Sequence, residues 1–116
     1  MEKDQWFWQN LQDLVNRSKI IIDRPKGSCH PKFPEASLYP LDYSILKGTT
    51  SMDGQSIDCF CGSLEGKIVV EILYTVDMMK KDSEIKILID CTESEVDVVH
   101  EYLNKPLFFK AALLKR

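Results

Sequence analysis

The chain has no excess of basic charge, no long apolar run, no export-type leader and no metal-type cysteine spacing, and each absence removes a class of function. Its 116 residues carry a net charge of −3, so the electrostatic basis for holding a nucleic acid backbone is missing and neither DNA nor RNA is an expected partner. No apolar stretch approaches the ~20 residues that cross a bilayer, and a membrane is not an expected partner either. The opening Met1-Glu2-Lys3-Asp4 lacks the basic region and apolar core of a signal peptide, so a cytoplasmic location is expected. Internal repeats and low-complexity segments are also missing.

Four cysteines are present, the number a structural zinc site needs, but zinc ligands come as pairs two to four residues apart. Cys59 and Cys61 are separated only by Phe60, and Cys29 and Cys91 stand alone. Small buried hydrophobes in a reducing compartment are the better reading, with Cys59 and Cys61 on one face of a strand.

What is present is ordinary globular material, 44% hydrophobic and 28% charged, long enough for one modest core, so residues 1–116 are expected to form a single domain. Asp4 is a candidate helix cap before Trp6, Phe7, Leu11, Leu14 and Val15, which recur near helical spacing to about Arg17-Ser18. Trp6 and Trp8 are read as core or dimer-contact residues rather than base stackers. The isoleucine-rich run from Lys19 to Asp23 reads as a buried strand, and Pro25, Pro31, Pro34 and Pro40 make the following segment a loop. Leu41 to Lys47, Ile57 to Cys61, Lys67 to Val76 and Glu84 to Cys91 read as four more strands, the last two joined by a hairpin over Met78 to Ser83. Thr92-Glu93-Ser94-Glu95 is a capping-box pattern opening a second helix, with Val96, Val99, Tyr102 and Leu103 on one face. The tail from Leu107 to Arg116 suits a strand or a helix equally. The fold class is therefore mainly β with α+β character, a small five-stranded barrel flanked by N-terminal and C-terminal helices.

One stretch carries chemistry. Tyr39-Pro40-Leu41-Asp42-Tyr43 is followed by Asp53-Gly54-Gln55-Ser56-Ile57-Asp58, then by Glu84-Ile85-Lys86 on a strand. In this order these segments resemble the core of the soluble family I inorganic pyrophosphatases, which reads Tyr-Pro-x-x-Tyr-Gly, Asp-Gly-Asp-Pro-x-Asp and Asp-x-Lys. With the early Ile20-Ile21-Ile22-Asp23-Arg24-Pro25-Lys26-Gly27, the resemblance covers about residues 19 to 91. The chain is most similar to a small pyrophosphatase-like subgroup that opens with an aromatic helix and carries Asp-Arg-Pro-Lys-Gly-Ser.

The resemblance implies an OB-like barrel with a site in its mouth, Mg²⁺ (or Mn²⁺) as cofactor, and hydrolysis of pyrophosphate to phosphate, an inorganic diphosphatase of phosphate metabolism. Its implied metal ligands are Asp53, Asp58 and Glu84, with Asp82 ahead of Asp77 as a substitute for a family aspartate that falls near Met79 or Lys80. Its implied phosphate contacts are Lys19, Arg24, Lys26, Lys32, Tyr39 and Lys86, and its catalytic group is Asp58, Tyr43 and Gln55. Bottom-up chemistry agrees on the residue types: phosphoanhydride hydrolysis loads charge on three sets of oxygens and needs cations, a metal held by hard oxygen ligands, and a positioned water.

Besides that hairpin aspartate, three departures qualify the match. The middle aspartate of the triplet is Gln55, whose amide orients water or ligates weakly but takes no proton. A family glutamate falls at Ile21. The family's C-terminal Tyr-Lys pair has no counterpart at the right spacing, because Tyr102 and Lys105 lie on or after the last helix. Loop His30 is a candidate phosphate donor or substitute base. Two readings follow: a reduced Mg²⁺-dependent hydrolase of pyrophosphate or a related phosphorylated small molecule, and a non-catalytic anion-binding module on the same scaffold. A homo-oligomer is compatible with either.

Overall fold

A computed structural model describes residues 2–32 and 38–116, leaving Pro34 of the proline-rich loop outside the described residues. The order is α1 (Glu2–Arg17), β1 (Ile20–Arg24), β2 (Asp42–Leu46), β3 (Ile57–Cys61), β4 (Val69–Asp77), β5 (Asp82–Ile89), α2 (Glu93–Asn104) and β6 (Phe109–Lys115). The strands form one sheet ordered β1-β2-β3-β5-β4-β6. All neighbours are antiparallel except β3 and β5, which run parallel with Cys59 opposite Ile87.

The tail that suited either structure is a strand, so the sheet has six strands rather than five, and β6 rather than a helix ends the described elements. Its register against β4, Phe109 opposite Asp77 through Lys115 opposite Glu71, gives the tail the ladder that its sequence alone could not specify.

Each face of the sheet is covered by one helix. On one face Trp8, Leu11 and Val15 of α1 pack with Leu46, Cys59, Val69, Ile72, Ile87 and Ile89. On the other, Val96, Val99 and Leu103 of α2 pack with Phe60, Leu73, Leu88 and Ala111. The inward stripe of α1 is thus 8-11-15, whereas Trp6, Phe7 and Leu14 are exposed; at about 100° per residue, Trp6 and Trp8 cannot share a face. Asp4 lies inside the helix, which begins at Glu2, so its carboxylate faces the positive end of the helix dipole instead of capping it. Cys59 is fully buried and Cys61 packs against the same cluster, as their shared strand face requires.

The capping box of α2 forms as read: Glu95 N–H donates to Thr92 Oγ1 and Thr92 N–H to Glu95 Oε1. Glu95 also accepts from the Ser63 backbone N–H, tying the helix start to the end of β3. Gly62 sits in that junction because a Cβ there would lie 2.5 Å from Asp90 O and 2.7 Å from Cys91 Cα.

The far end of α2 seals the outer edge of β6. Ala111 N–H donates to Asn104 Oδ1 at 3.0 Å, and Ala111 O accepts from Asn104 Nδ2 at 3.0 Å and lies 3.1 Å from His100 Nε2. At Ala111 one side-chain amide takes up the backbone groups that a further strand would bond, covering one position of an edge that otherwise invites pairing with another chain. Asn104→Ala is expected to cost about 1–3 kcal/mol, the penalty of leaving those groups unmade, and to raise aggregation on heating. Equilibrium unfolding and light scattering read both.

Candidate active site

The site is built around Lys86 on β5. Its ammonium donates to Tyr43 Oη at 2.8 Å, Asp58 Oδ2 at 3.1 Å and Glu84 Oε1 at 2.9 Å, with only 8% of its side chain exposed. The strands dictate this meeting. Glu84 and Lys86 are two apart and share a strand face, the parallel β3–β5 register sets Cys59 beside Ile87 and so brings Asp58 alongside, and antiparallel pairing sets Tyr43 opposite Phe60.

Burial works against the charge on Lys86, but Tyr43, Asp58 and Glu84 outweigh it and its pKa lies above the ordinary lysine value. Burial, reinforced by Asp58, raises the Tyr43 phenol against the pull of Lys86. The pair is therefore an ammonium beside a protonated phenol. Glu84 is also raised, chiefly by burial and then by the negative charges of Asp58 and Asp53 against the opposing pull of Lys86. Its Oε2 is buried with no hydrogen-bond partner.

An aromatic wall continues from this cluster. Tyr43 and Tyr39 stack with centroids 5.5 Å apart, and Tyr43 leans on Phe60 at 4.9 Å. The Arg24 guanidinium, donating to Tyr39 Oη, lies 5.6 Å from the Tyr39 ring and 5.8 Å from the Tyr43 ring, whose centroid is 5.1 Å from Lys86 Nζ. Two cations thus flank one ring. A bulge between Ile22 and Arg24, which pairs Arg24 with Tyr43, sets the guanidinium there.

The other candidate residues are spread more widely. Asp53 and Gln55 are exposed in the β2–β3 connection, where Asp53 Oδ1 accepts the Gln55 backbone N–H; the charge of Asp53 is nonetheless felt at Glu84. Asp82 is half-buried at the start of β5, opposite Asp77. Asp77 is occupied by the hairpin, its Oδ1 accepting the backbone N–H groups of Met79 and Lys80. Lys26 and Lys32 are exposed loop residues, and Lys19 is exposed at the opposite end of β1 from Arg24. Among the described residues, no three acidic, histidine or cysteine side chains converge as a metal cage. Asp58 and Glu84 converge, on Lys86.

The fold also recruits residues that sequence spacing passed over. Tyr102 of α2 lies 5.7 Å from Tyr39, completing the wall, and burial followed by Tyr39 pushes its hydroxyl up to about 12. Its place on the apolar face of the helix was the available signal. Lys80 acts with Arg24 and Lys32 on His30, which burial and then these three cations hold below the usual histidine value.

Removing the central cation tests the network. Lys86→Met leaves two partly buried carboxylates without their counter-charge and is expected to cost about 3–5 kcal/mol. Glu84, already raised by burial, loses the opposing pull of Lys86 and rises further above its unfolded value, so the variant's stability is fully present below the unfolded value and is lost as pH rises through the raised one. Thermal unfolding from mildly acidic to neutral pH should show the deficit growing with pH; a deficit independent of pH would contradict the network.

By sequence, the chain matches no protein-family model and no curated protein. By structure, it superposes on the inorganic pyrophosphatase of Coxiella burnetii with a TM-score of 0.63 at 13% identity, covering 83% of this chain and 84% of that one. The inorganic pyrophosphatase of Neisseria gonorrhoeae gives 0.63 at 16% identity over 83% and 80% of the two chains, and that of Helicobacter pylori 0.58 at 14% over 83% and 81%. The fold of this chain is therefore pyrophosphatase-like.

Proposed function

We propose that this protein is a Mg²⁺-dependent hydrolase of pyrophosphate or a closely related phosphoanhydride. The observation that carries the reading is the buried Lys86 held between Asp58, Glu84 and Tyr43 in a pyrophosphatase-like fold. An anion binder has little need to place two carboxylates beside its central lysine.

The donor set fits the ion in a restricted way. Mg²⁺ is bound through one or two carboxylates, with water and substrate phosphates completing its octahedron, so a three-acid cage is not required. Asp58 and the unpartnered Oε2 of Glu84 supply two hard oxygens, and Asp53 and Asp82 are the outer acids. When bound, the ion would neutralise charge developing on the phosphoryl oxygens.

The chain's own groups do the rest. Lys86 and Arg24, 5.1 and 5.8 Å from the Tyr43 ring centroid, bind phosphoryl oxygens, and Tyr39, with its ring on Tyr43, fixes Arg24. Tyr43 stays protonated and holds Asp58 in place. Asp58, at 19% the more exposed of the two carboxylates, accepts the proton of the attacking water, a role Gln55 cannot fill. Gln55 contributes a water-orienting amide at the rim, and Lys26 and Lys32 contribute positive charge from exposed loop positions.

A second reading is favoured by the exposed Gln55 and the absence of a three-ligand group among the described residues: a non-catalytic module that binds a phosphorylated anion. Phosphate release from pyrophosphate with Mg²⁺ and with Mn²⁺ separates the two. Catalysis predicts metal-dependent turnover that Asp58→Asn lowers at least about 100-fold, the usual worth of a general base, without loss of fold. The Gln55→Asp variant should turn over faster. Binding alone predicts no release from either protein, with a rise in Tm on adding pyrophosphate.

A further inference from the structure

Lys86 holds both of the carboxylates that the proposed ion needs. Its ammonium lies 3.1 Å from Asp58 Oδ2 and 2.9 Å from Glu84 Oε1, so it stands where an ion shared by those two side chains would have to stand. An ion and an ammonium cannot hold the same oxygens at once, since the two repel and each needs the lone pairs the other is using. The remaining oxygen of Glu84 offers no way around, because Oε2 is buried from solvent. A hydrated divalent ion reaches it only after a neighbouring group moves. The backbone on both sides is fixed: Glu84 O accepts from Thr75 Oγ1 at 3.1 Å within the β4–β5 ladder, and Asp58 lies opposite Ile45 in the β2–β3 ladder. The flexible four-carbon stem of Lys86 is the part that can give way.

Charge sets the order of events. With both carboxylates ionised, Asp58, Glu84 and Lys86 carry one net negative charge, too little to hold a divalent ion beside an ammonium. Drawing the ammonium away to admit an ion leaves a buried cation without its counter-charges, which is strongly unfavourable. A phosphoryl oxygen changes this, because it offers the ammonium a new anionic partner and the ion a further ligand at the same time. Tyr43 Oη, 2.8 Å from Lys86 Nζ on a phenol that stays protonated, remains as an acceptor while the carboxylates are exchanged.

We propose that Lys86 is a counter-ion gate: its ammonium neutralises Asp58 and Glu84 in the resting protein and yields them to a divalent ion only when a phosphorylated anion takes it up. The unliganded protein therefore holds no divalent ion at these two carboxylates, and ion and anion bind there as a coupled pair. This rests on the reading of Lys86 as a phosphate ligand and of Asp58 and Glu84 as ion ligands, and adds to it the order in which they act.

Equilibrium dialysis against Mn²⁺, with and without methylenediphosphonate, a pyrophosphate isostere that is not hydrolysed, tests the gate. The unaltered protein is expected to retain Mn²⁺ at least about tenfold more tightly with the isostere than without it, within the usual range of coupling between two ligands. Lys86→Gln removes the charge and keeps a donor for the carboxylates. It should retain Mn²⁺ alone at least about tenfold more tightly than the unaltered protein, and adding Asp58→Asn should remove that gain. Amino-group NMR of the ¹⁵N-labelled unaltered protein needs no variant: the exchange-protected ammonium signal of Lys86 should stay in place with Mg²⁺ alone and shift with Mg²⁺ and the isostere together. Three results overturn the gate and leave Asp58 and Glu84 as ion ligands: equal retention of Mn²⁺ by the unaltered protein with and without the isostere, a folded Lys86→Gln that gains no affinity, or a Lys86 signal that shifts with Mg²⁺ alone. Retention of Mn²⁺ by neither protein, with or without the isostere, overturns the metal-dependent hydrolase reading as well.

Discussion

The structure is organised around the cost of burying one ammonium. A lysine with 8% of its side chain exposed survives as a charge only where nearby oxygens replace its water, and Lys86 has three. Those oxygens come from β2, β3 and β5, so the charge is satisfied only when all three strands are in register. A slip of one residue would turn Lys86 toward α1 and its aliphatic cluster. The register that makes the core also makes the site.

That dependence explains the division between the two faces. The α1 side of the sheet is aliphatic, filled by isoleucine, leucine, valine and cysteine. The α2 side shades from aliphatic near Leu88 and Val99 into aromatic at Phe60, Tyr43, Tyr39 and Tyr102. Tyrosines suit this boundary because the ring packs against the core while the hydroxyl reaches polar partners, as Tyr43 does toward Lys86 and Tyr39 toward Arg24. The residues Lys26, Lys32 and Lys80 are exposed.

Charge is graded across the same surface. Lys86, Glu84 and Asp58 have 8%, 11% and 19% of their side chains exposed, Arg24 has 27%, and Lys32 and Lys80 are exposed. The gradient suits a ligand that must be drawn in by cations and then meet oxygen ligands at its reacting end. Gln55 adds no charge to the acidic end and leaves the cationic one undisturbed, and the two proposed readings, a slow hydrolase and a binder, differ on this point.

Much of this was legible in the order of residues. Alternating and β-branched runs located β1 to β5, and Thr92 with Glu95 marked the start of α2, because these signals are local and one strand or one helical turn suffices to express them. Glu84 and Lys86, like Tyr39, Tyr43 and Asp58, were picked out by the motif resemblance. Three-dimensional packing decided the rest. The tail became β6 only because the edge of β4 offered it a ladder, and the inward face of α1 was fixed by the sheet beneath it. Asp77 was absorbed by its own hairpin, while Tyr102, far from the motifs in sequence, was carried to the aromatic wall by α2. The sequence by itself determined the local elements and the candidate site residues; the tertiary structure decided which of them meet, since distances between separate strands, helices and turns are set by register and packing rather than by position along the chain.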